Sequence, residues 1–277
     1  MFKQKVLAVL TSAVLVGSLA VGCGKDSGSD SGSGETKITV SGSTSVGPVF
    51  ESIAEKFQAA NEGMKVEVQQ TGSSAGIKDA IQGTSEIGMS SRDLKDEEKG
   101  SGLKETEIAI DGIAVIVNNN NAVKELTIDQ LKNIYTGKVT NWSQLGGKDA
   151  PIVVVSREDG SGTRDGFQEK VGFESGELIK DAQIADGSGN IKSTVEGNEN
   201  AIGYISFGYV DEKVTATKID GVEISVEAIK SGDYSIQRPF IVVTKEEASE
   251  ACTKLIDFVL SDEGQKVIEE KGFVSIK

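Results

Sequence analysis

The chain has 277 residues, a formal net charge of −14, 33 glycines, two cysteines and no histidine. Without histidine, Ser-His and Cys-His catalytic pairs and histidine metal sites are excluded. No Lys/Arg cluster offers a nucleic-acid surface, and no GxxxxGK[ST] run offers a nucleotide P-loop.

The N-terminus sets the compartment. Lys3 and Lys5 precede an uncharged apolar run, 6–20, that is too short and wrongly flanked to span a membrane. The run ends in Leu19-Ala20-Val21-Gly22-Cys23, so residues 1–22 read as an export signal. The layout resembles a bacterial lipoprotein signal, although that family usually has Leu where Ala20 stands. The resemblance implies that Cys23 is acylated and becomes the mature N-terminus. The stretch after Cys23, up to residue 35, is nearly all Gly, Ser and Asp and reads as a flexible tether with a root-mean-square span of roughly 19 Å. Losing Lys3 and Lys5 with the signal changes the net charge from −14 to −16. Cys252, beside Ala251, Leu255 and Ile256, then has no disulfide partner and reads as a small core residue.

The remaining residues, about 240, suffice for one large domain or two modest lobes. Strand and helix signals alternate, which indicates an α/β fold. Lys37 to Val40 reads as a strand, and Pro48 to Ala60 as a helix with Val49, Ile53, Phe57 and Ala60 on one face. Val66 to Gln70 reads as a strand, followed by a short helix carrying Ile77, Ala80 and Ile81. Glu86 to Met89 and Ile108 to Val117 are further strands; the run Asn118 to Asn121 breaks the latter. A helix is predicted from Thr127, then a buried strand Ile152 to Val155. Ile202 to Phe207, Val214 to Ile219 and Phe240 to Val243 read as strands, and Glu246 to Lys271 as closing helical material.

One pattern recurs: a strand ends, Ser, Thr and Gly crowd the turn, and a helix starts. It occurs at Gly42-Ser43-Thr44-Ser45, Gly72-Ser73-Ser74 and Gly160-Ser161-Gly162-Thr163. Singly, each reads as a helix cap. Together they suit a tetrahedral anion, because a helix N-terminus presents unpaired N–H groups and partial positive charge. Ser161 and Thr163 offer hydroxyls, Gly162 a bare N–H, and Arg157 a fork for two oxygens. Arg92 and Arg164 are extra cations that read equally as salt-bridge partners or ligand contacts. Asp186-Gly187-Ser188-Gly189-Asn190 starts like a calcium loop, but Ile191 stands where glycine is required, so it reads as a turn and helix cap. Trp142 reads as a packing residue.

The runs Ser41-Gly42-Ser43-Thr44-Ser45, Gly72-Ser73-Ser74-Ala75-Gly76, Ile87-Gly88-Met89-Ser90-Ser91-Arg92 and Arg157-Glu158-Asp159-Gly160-Ser161-Gly162-Thr163 resemble the phosphate-binding proteins of the high-affinity phosphate (Pst) ABC importers. Tyr135-Thr136-Gly137-Lys138, Asn141-Trp142 and Ala201-Ile202-Gly203-Tyr204 match further landmarks, and the resemblance spans residues 36–277. It implies a two-lobed, type II periplasmic-binding-protein fold, each lobe a mixed sheet flanked by helices. The expected division is 36–115 plus 216–277 for lobe 1 and 116–215 for lobe 2. The implied ligand contacts are Thr44, Ser45, Ser73, Ser91, Arg157, Ser161, Gly162 and Thr163. Asp159 is implied to pair with the binding arginine, and Ser74 and Arg92 to support the site.

The resemblance implies a non-enzymatic, extracytoplasmic, lipid-anchored monomer that passes inorganic phosphate to ABC permease subunits, with no cofactor, no metal and no nucleic acid. Well-known members carry aspartate where Ser91 stands, to accept the phosphate's own proton and repel sulfate. Serine accepts that bond without the repulsive charge. Glu158 and Asp159 are alternative acceptors. Other readings are a sulfate or molybdate receptor and a hydrolase using Ser161.

Overall fold

The computed structural model describes residues 35–277. The export signal, Cys23 and almost all of the tether lie outside the described residues. The chain runs β1 (Thr36–Gly42), α1 (Gly47–Ala60), β2 (Met64–Gln70), α2 (Ser73–Gln82), β3 (Ile87–Ser90), α3 (Asp96–Lys99) and β4 (Leu103–Asn118). It continues through β5 (Glu125–Leu126), α4 (Ile128–Tyr135), β6 (Val153–Arg157), α5 (Gly162–Val171), β7 (Gln183–Ala185), α6 (Gly187–Glu196) and β8 (Ala201–Ser206). The last elements are β9 (Val214–Ala216), β10 (Lys218–Ile219), α7 (Val226–Ser231), β11 (Gln237–Lys245), α8 (Glu250–Leu260) and α9 (Asp262–Glu270).

The predicted elements form for the expected local reasons. Pro48 occupies the first turn of α1, whose Val49, Phe50, Ile53, Ala54 and Phe57 are buried at helical spacing. Thr127 caps α4: its Oγ1 accepts from Gln130 N at 3.1 Å, and Gln130 Oε1 accepts from Thr127 N at 2.8 Å. Trp142 is buried, and its indole N–H donates to Asn200 O at 2.9 Å.

The strands join in the order β2-β1-β3-β11-β4-β8-β6-β7, with β9 also on β4. β2, β1 and β3 are mutually parallel, as are β8, β6 and β7. β4 belongs to both halves. Leu103–Gly112 pairs antiparallel with β11, and Ile113–Asn118 pairs antiparallel with β8 and β9. The early part of β4 escapes prediction because Lys104, Glu105 and Glu107 give no apolar signal; β11 supplies the pairing.

The two larger hydrophobic cores lie on either side of this crossing, and a smaller cluster gathers Ile77, Ala80, Leu94, Ile241 and Val243. One collects α1, β1, β3, Ile108, Ala109, Phe240, Val242 and the closing helices. The other collects Ile113–Val117, Tyr135, Trp142, Phe167, Tyr204, Ile219, Ile229 and Ile236. The cores part near residues 112 and 236, whereas the sequence reading put the crossings at 115/116 and 215/216. Residues 216–236 were expected in lobe 1. Ile219, Ile224, Ile229, Tyr234 and Ile236 instead pack into the second core. The strand expected from Val214 to Ile219 is also two strands. Thr217 turns inward between them and donates its N–H to Val115 O at 2.8 Å, so β9 stays on β4 while β10 moves to β5.

Candidate oxyanion-binding site

Three strands, the parallel β1 and β3 in one half and β6 in the other, end at Gly42, Ser90 and Arg157, and each end leads into one of the Ser/Gly turns or into Ser91. Gly42 has φ 137°, open to glycine, and a side chain there would strike the Met89 carbonyl. That close approach brings the first turn against the end of β3, and Ser43 N donates to Met89 O at 2.9 Å.

The serines then interlock. Ser43 Oγ accepts from the N–H groups of Ser45 (3.2 Å) and Val46 (3.3 Å) and donates to Ser91 Oγ at 2.9 Å. Ser73 Oγ accepts from Ser91 N at 3.2 Å and lies 3.3 Å from Ser91 Oγ. Gly162, first residue of α5, approaches so closely that a side chain there would collide with both Ser73 and Ser91 hydroxyls. Ser45 Oγ lies 2.9 Å from Thr163 Oγ1. The N-terminus of α5 therefore meets the β1 turn and the N-terminus of α2 across the two halves of the molecule. Ser74 N donates to Gly160 O at 3.1 Å, and Tyr209 OH to Thr44 O at 2.9 Å, tightening the same seam.

Arg157 is 1% exposed. Its Nε and Nη2 each donate to the Glu158 carboxylate at 2.7 Å, and Nη2 also reaches Thr44 Oγ1 at 2.9 Å. Its Nη1 is buried with no hydrogen-bond partner among the described residues. A buried donor without a partner is costly, and this one belongs to the charged group best suited to an anion. Glu158 is itself held by Gly187 N at 3.3 Å, at the start of α6, which is the use found for the Asp186–Asn190 turn. Burial pushes the Glu158 carboxyl up, but hydrogen bonds and charge from Arg157 outweigh it and hold it below its ordinary value.

The structure corrects the expected role of Asp159. That residue does not pair with Arg157; its side chain is 94% exposed and bonds Arg164 Nη1 at 2.6 Å. Ser161 caps α5 and faces back into it, Gly160 has φ 81°, and Asp159 points outward, so the neighbouring Glu158 is the acid within reach. Ser161 Oγ accepts from Arg164 N at 3.3 Å as the N-cap of α5. Arg92 and Arg164 are not exposed salt-bridge partners but buried ones. Arg92 bonds Glu98 at 2.7 Å, Asp165 at 2.9 Å and Ser74 Oγ at 3.1 Å. Arg164 also donates to the Arg157 carbonyl at 3.2 Å.

Residues 27–263 match the family profile described as PBP superfamily domain. The phosphate-binding protein PstS of Bacillus subtilis is 36% identical over 100% of this chain and 95% of its own length. The chain belongs to this PstS group of the PBP superfamily. A crystal structure from Clostridium perfringens, described as a putative phosphate ABC transporter substrate-binding protein with bound phosphate, is 59% identical with a TM-score of 0.86, covering 87% of this chain and 100% of that one. An ABC-type phosphate transport receptor from Vibrio cholerae is 36% identical with a TM-score of 0.75, covering 86% and 99%. The two-lobed fold of these PstS relatives is the fold described here.

The sequence reading missed two groups. Glu158 was named only as a proton acceptor, yet it clamps Arg157. Arg238 was not named at all, yet its Nη2 donates to Ser45 Oγ at 3.2 Å. Arg238 sits in Gln-Arg-Pro-Phe with no Ser/Gly motif around it, so only the long-range pairing of β11 with β4 brings it to the site.

Proposed function

We propose that this chain is the phosphate receptor of an ABC importer and holds inorganic phosphate between its lobes through Thr44, Ser45, Ser73, Ser91, Arg157, Ser161, Gly162 and Thr163. The observation that carries the reading is the buried Arg157, with Nη1 unpartnered, beside the hydroxyls and helix N-termini of α2 and α5. Glu158 holds the guanidinium in place of Asp159, and Ser74 and Arg92 brace the α2 end. Lobe 1 is residues 36–112 with 237–277, and lobe 2 is 113–236, following the two cores. Closure of these lobes is stabilised by ligand contacts made only in the closed state. The receptor is extracytoplasmic. It is monomeric, held to the outer face of the membrane by lipid on Cys23, and not an enzyme.

Ser91 accepts the phosphate proton. One lone pair takes the Ser43 hydroxyl, and when Ser91 donates to Ser73 the other lone pair is free for a P–O–H group. The Ser161 hydroxyl accepts from the Arg164 amide at 3.3 Å, which supports a capping role over a nucleophilic one.

Calorimetry on protein freed of endogenous anion tests the reading. Stoichiometric phosphate binding, weak competition by sulfate and molybdate, and no turnover of p-nitrophenyl phosphate are expected. Tighter binding of sulfate than phosphate at neutral pH overturns it.

A further inference from the structure

At one edge of the site the lobes meet through a carboxylate that the phosphate contacts do not use. Asp165 lies in the first turn of α5, just past Thr163. Its Oδ2 is 2.9 Å from Arg92 Nε and 3.2 Å from Lys95 Nζ. Arg92 and Lys95 follow β3 in lobe 1, whereas α5 belongs to lobe 2. Both are charge contacts: Asp165 Oδ2 makes no aligned hydrogen bond among the described residues. Beside these ion pairs the lobes stand apart across a cleft of about 510 Å³, walled by Asp93 and Leu94 on one side and by Gln168 and Phe173 on the other.

Arg92 is already fixed within lobe 1. It forks onto the Glu98 carboxylate at 2.7 and 2.9 Å, donates to Asp93 O at 2.8 Å and reaches Ser74 Oγ at 3.1 Å. Burial alone would lower the Arg92 guanidinium, but hydrogen bonding and charge from Glu98, with charge from Asp165, outweigh it and raise it above its ordinary value. Closing the lobes therefore needs no ordering of this side chain; it brings a carboxylate to a cation already in place. Both partners of Asp165 lie in the opposite lobe, so these contacts exist only while the lobes are closed.

We infer that Asp165 is a positioning residue that latches the lobes shut through Arg92 and Lys95 and so slows the release of bound phosphate. The inference rests on the phosphate reading above. The sign of the effect sets it apart from a simple charge effect. Asp165 is an anion beside an anion site. By Coulomb's law its removal should tighten phosphate binding, and the Arg92 charge left uncompensated should tighten it further. A latch predicts the reverse. The ligand leaves only through the open state, so contacts found only in the closed state lengthen its stay. Entry uses the open state, so association is left near that of the wild type.

Dissociation of radiolabelled inorganic phosphate, chased with excess unlabelled phosphate, tests this on the wild type, D165A, K95M and D165A/K95M; calorimetric affinities then give the on-rates. D165A raises the off-rate about tenfold and keeps the on-rate within about twofold of wild type. K95M, at a half-exposed lysine outside the phosphate contacts, raises the off-rate about twofold. The double variant matches D165A, because Lys95 acts through Asp165. An unchanged or slower off-rate in D165A, a loss carried by the on-rate, or off-rate increases that multiply in the double variant overturn the inference alone. If D165A fails to fold, K95M decides, and an off-rate equal to wild type overturns the inference. A wild type that fails to bind phosphate overturns the phosphate reading and the inference with it.

Discussion

Two of the buried arginines, Arg157 and Arg238, are held in opposite ways. Arg157 is clamped by its sequence neighbour Glu158, whose side chain keeps 23% exposure and rests on the start of α6. Arg238 is clamped by Asp111, 127 residues away and fully buried, across the β4–β11 crossing. The first pair is local and partly wet, and a single bond from Arg157 to Thr44 reaches the other half. The second is dry and joins both lobes to the crossing strands, since Asp111 also holds Ser206 and Phe207 while Arg238 holds Ser45. A ligand-facing charge can thus be built cheaply within one motif. A charge brought from a distant strand needs the tertiary crossing.

The contrast makes distinct predictions. Arg157→Ala should weaken phosphate binding by a factor on the order of a thousand, because a buried anion loses its main countercharge. Calorimetry within a few-fold of wild type would break the comparison, leaving Arg238 as the principal cation. Asp111→Asn should act on the fold: stripping the carboxylate from a buried pair costs about 3 kcal/mol, read as a lower urea midpoint. An unchanged midpoint would show the crossing pair to be as dispensable for folding as a surface one.

Glu158→Gln should leave the fold near wild type but loosen Arg157, weakening phosphate binding about tenfold. It also carries a pH signature. The Glu158 carboxyl is held below its ordinary value, so its contribution to stability is complete above the unfolded-state value of about 4.3 and disappears as pH falls through the depressed one. The wild type should therefore lose stability more steeply than the Gln variant in that acid window, as followed by thermal melts. Asp159→Asn should matter least: an exposed partner of Arg164 is worth less than about 1 kcal/mol, and phosphate affinity should stay within about twofold.

Much of the site was legible because its parts are local. Gly-Ser turns at strand ends, a helix starting after each, and Arg157 just before one of them are short-range patterns with short-range causes. Arg157's partner was misread, because Glu158 and Asp159 differ by one position and only the turn decides which carboxylate faces inward. Side chains alternate along an extended backbone, so one residue more or less reverses the direction. The placement of 216–236 failed for a related reason. Ile219, Ile224 and Ile229 say that the segment is buried, but no local signal says against which core.

From sequence alone came the α/β alternation, the absence of histidine, three Ser/Gly helix starts and an arginine, Arg157, just before one of them. Those features follow from backbone propensity, glycine's freedom and the charge at helix ends, all of which act within a few residues. Only the tertiary structure decided where the cores divide, which acid holds Arg157, and that Arg238 reaches Ser45. The first and the last depend on strands more than a hundred residues apart coming into register, which no local energy encodes, and the second on how the turn after β6 is held.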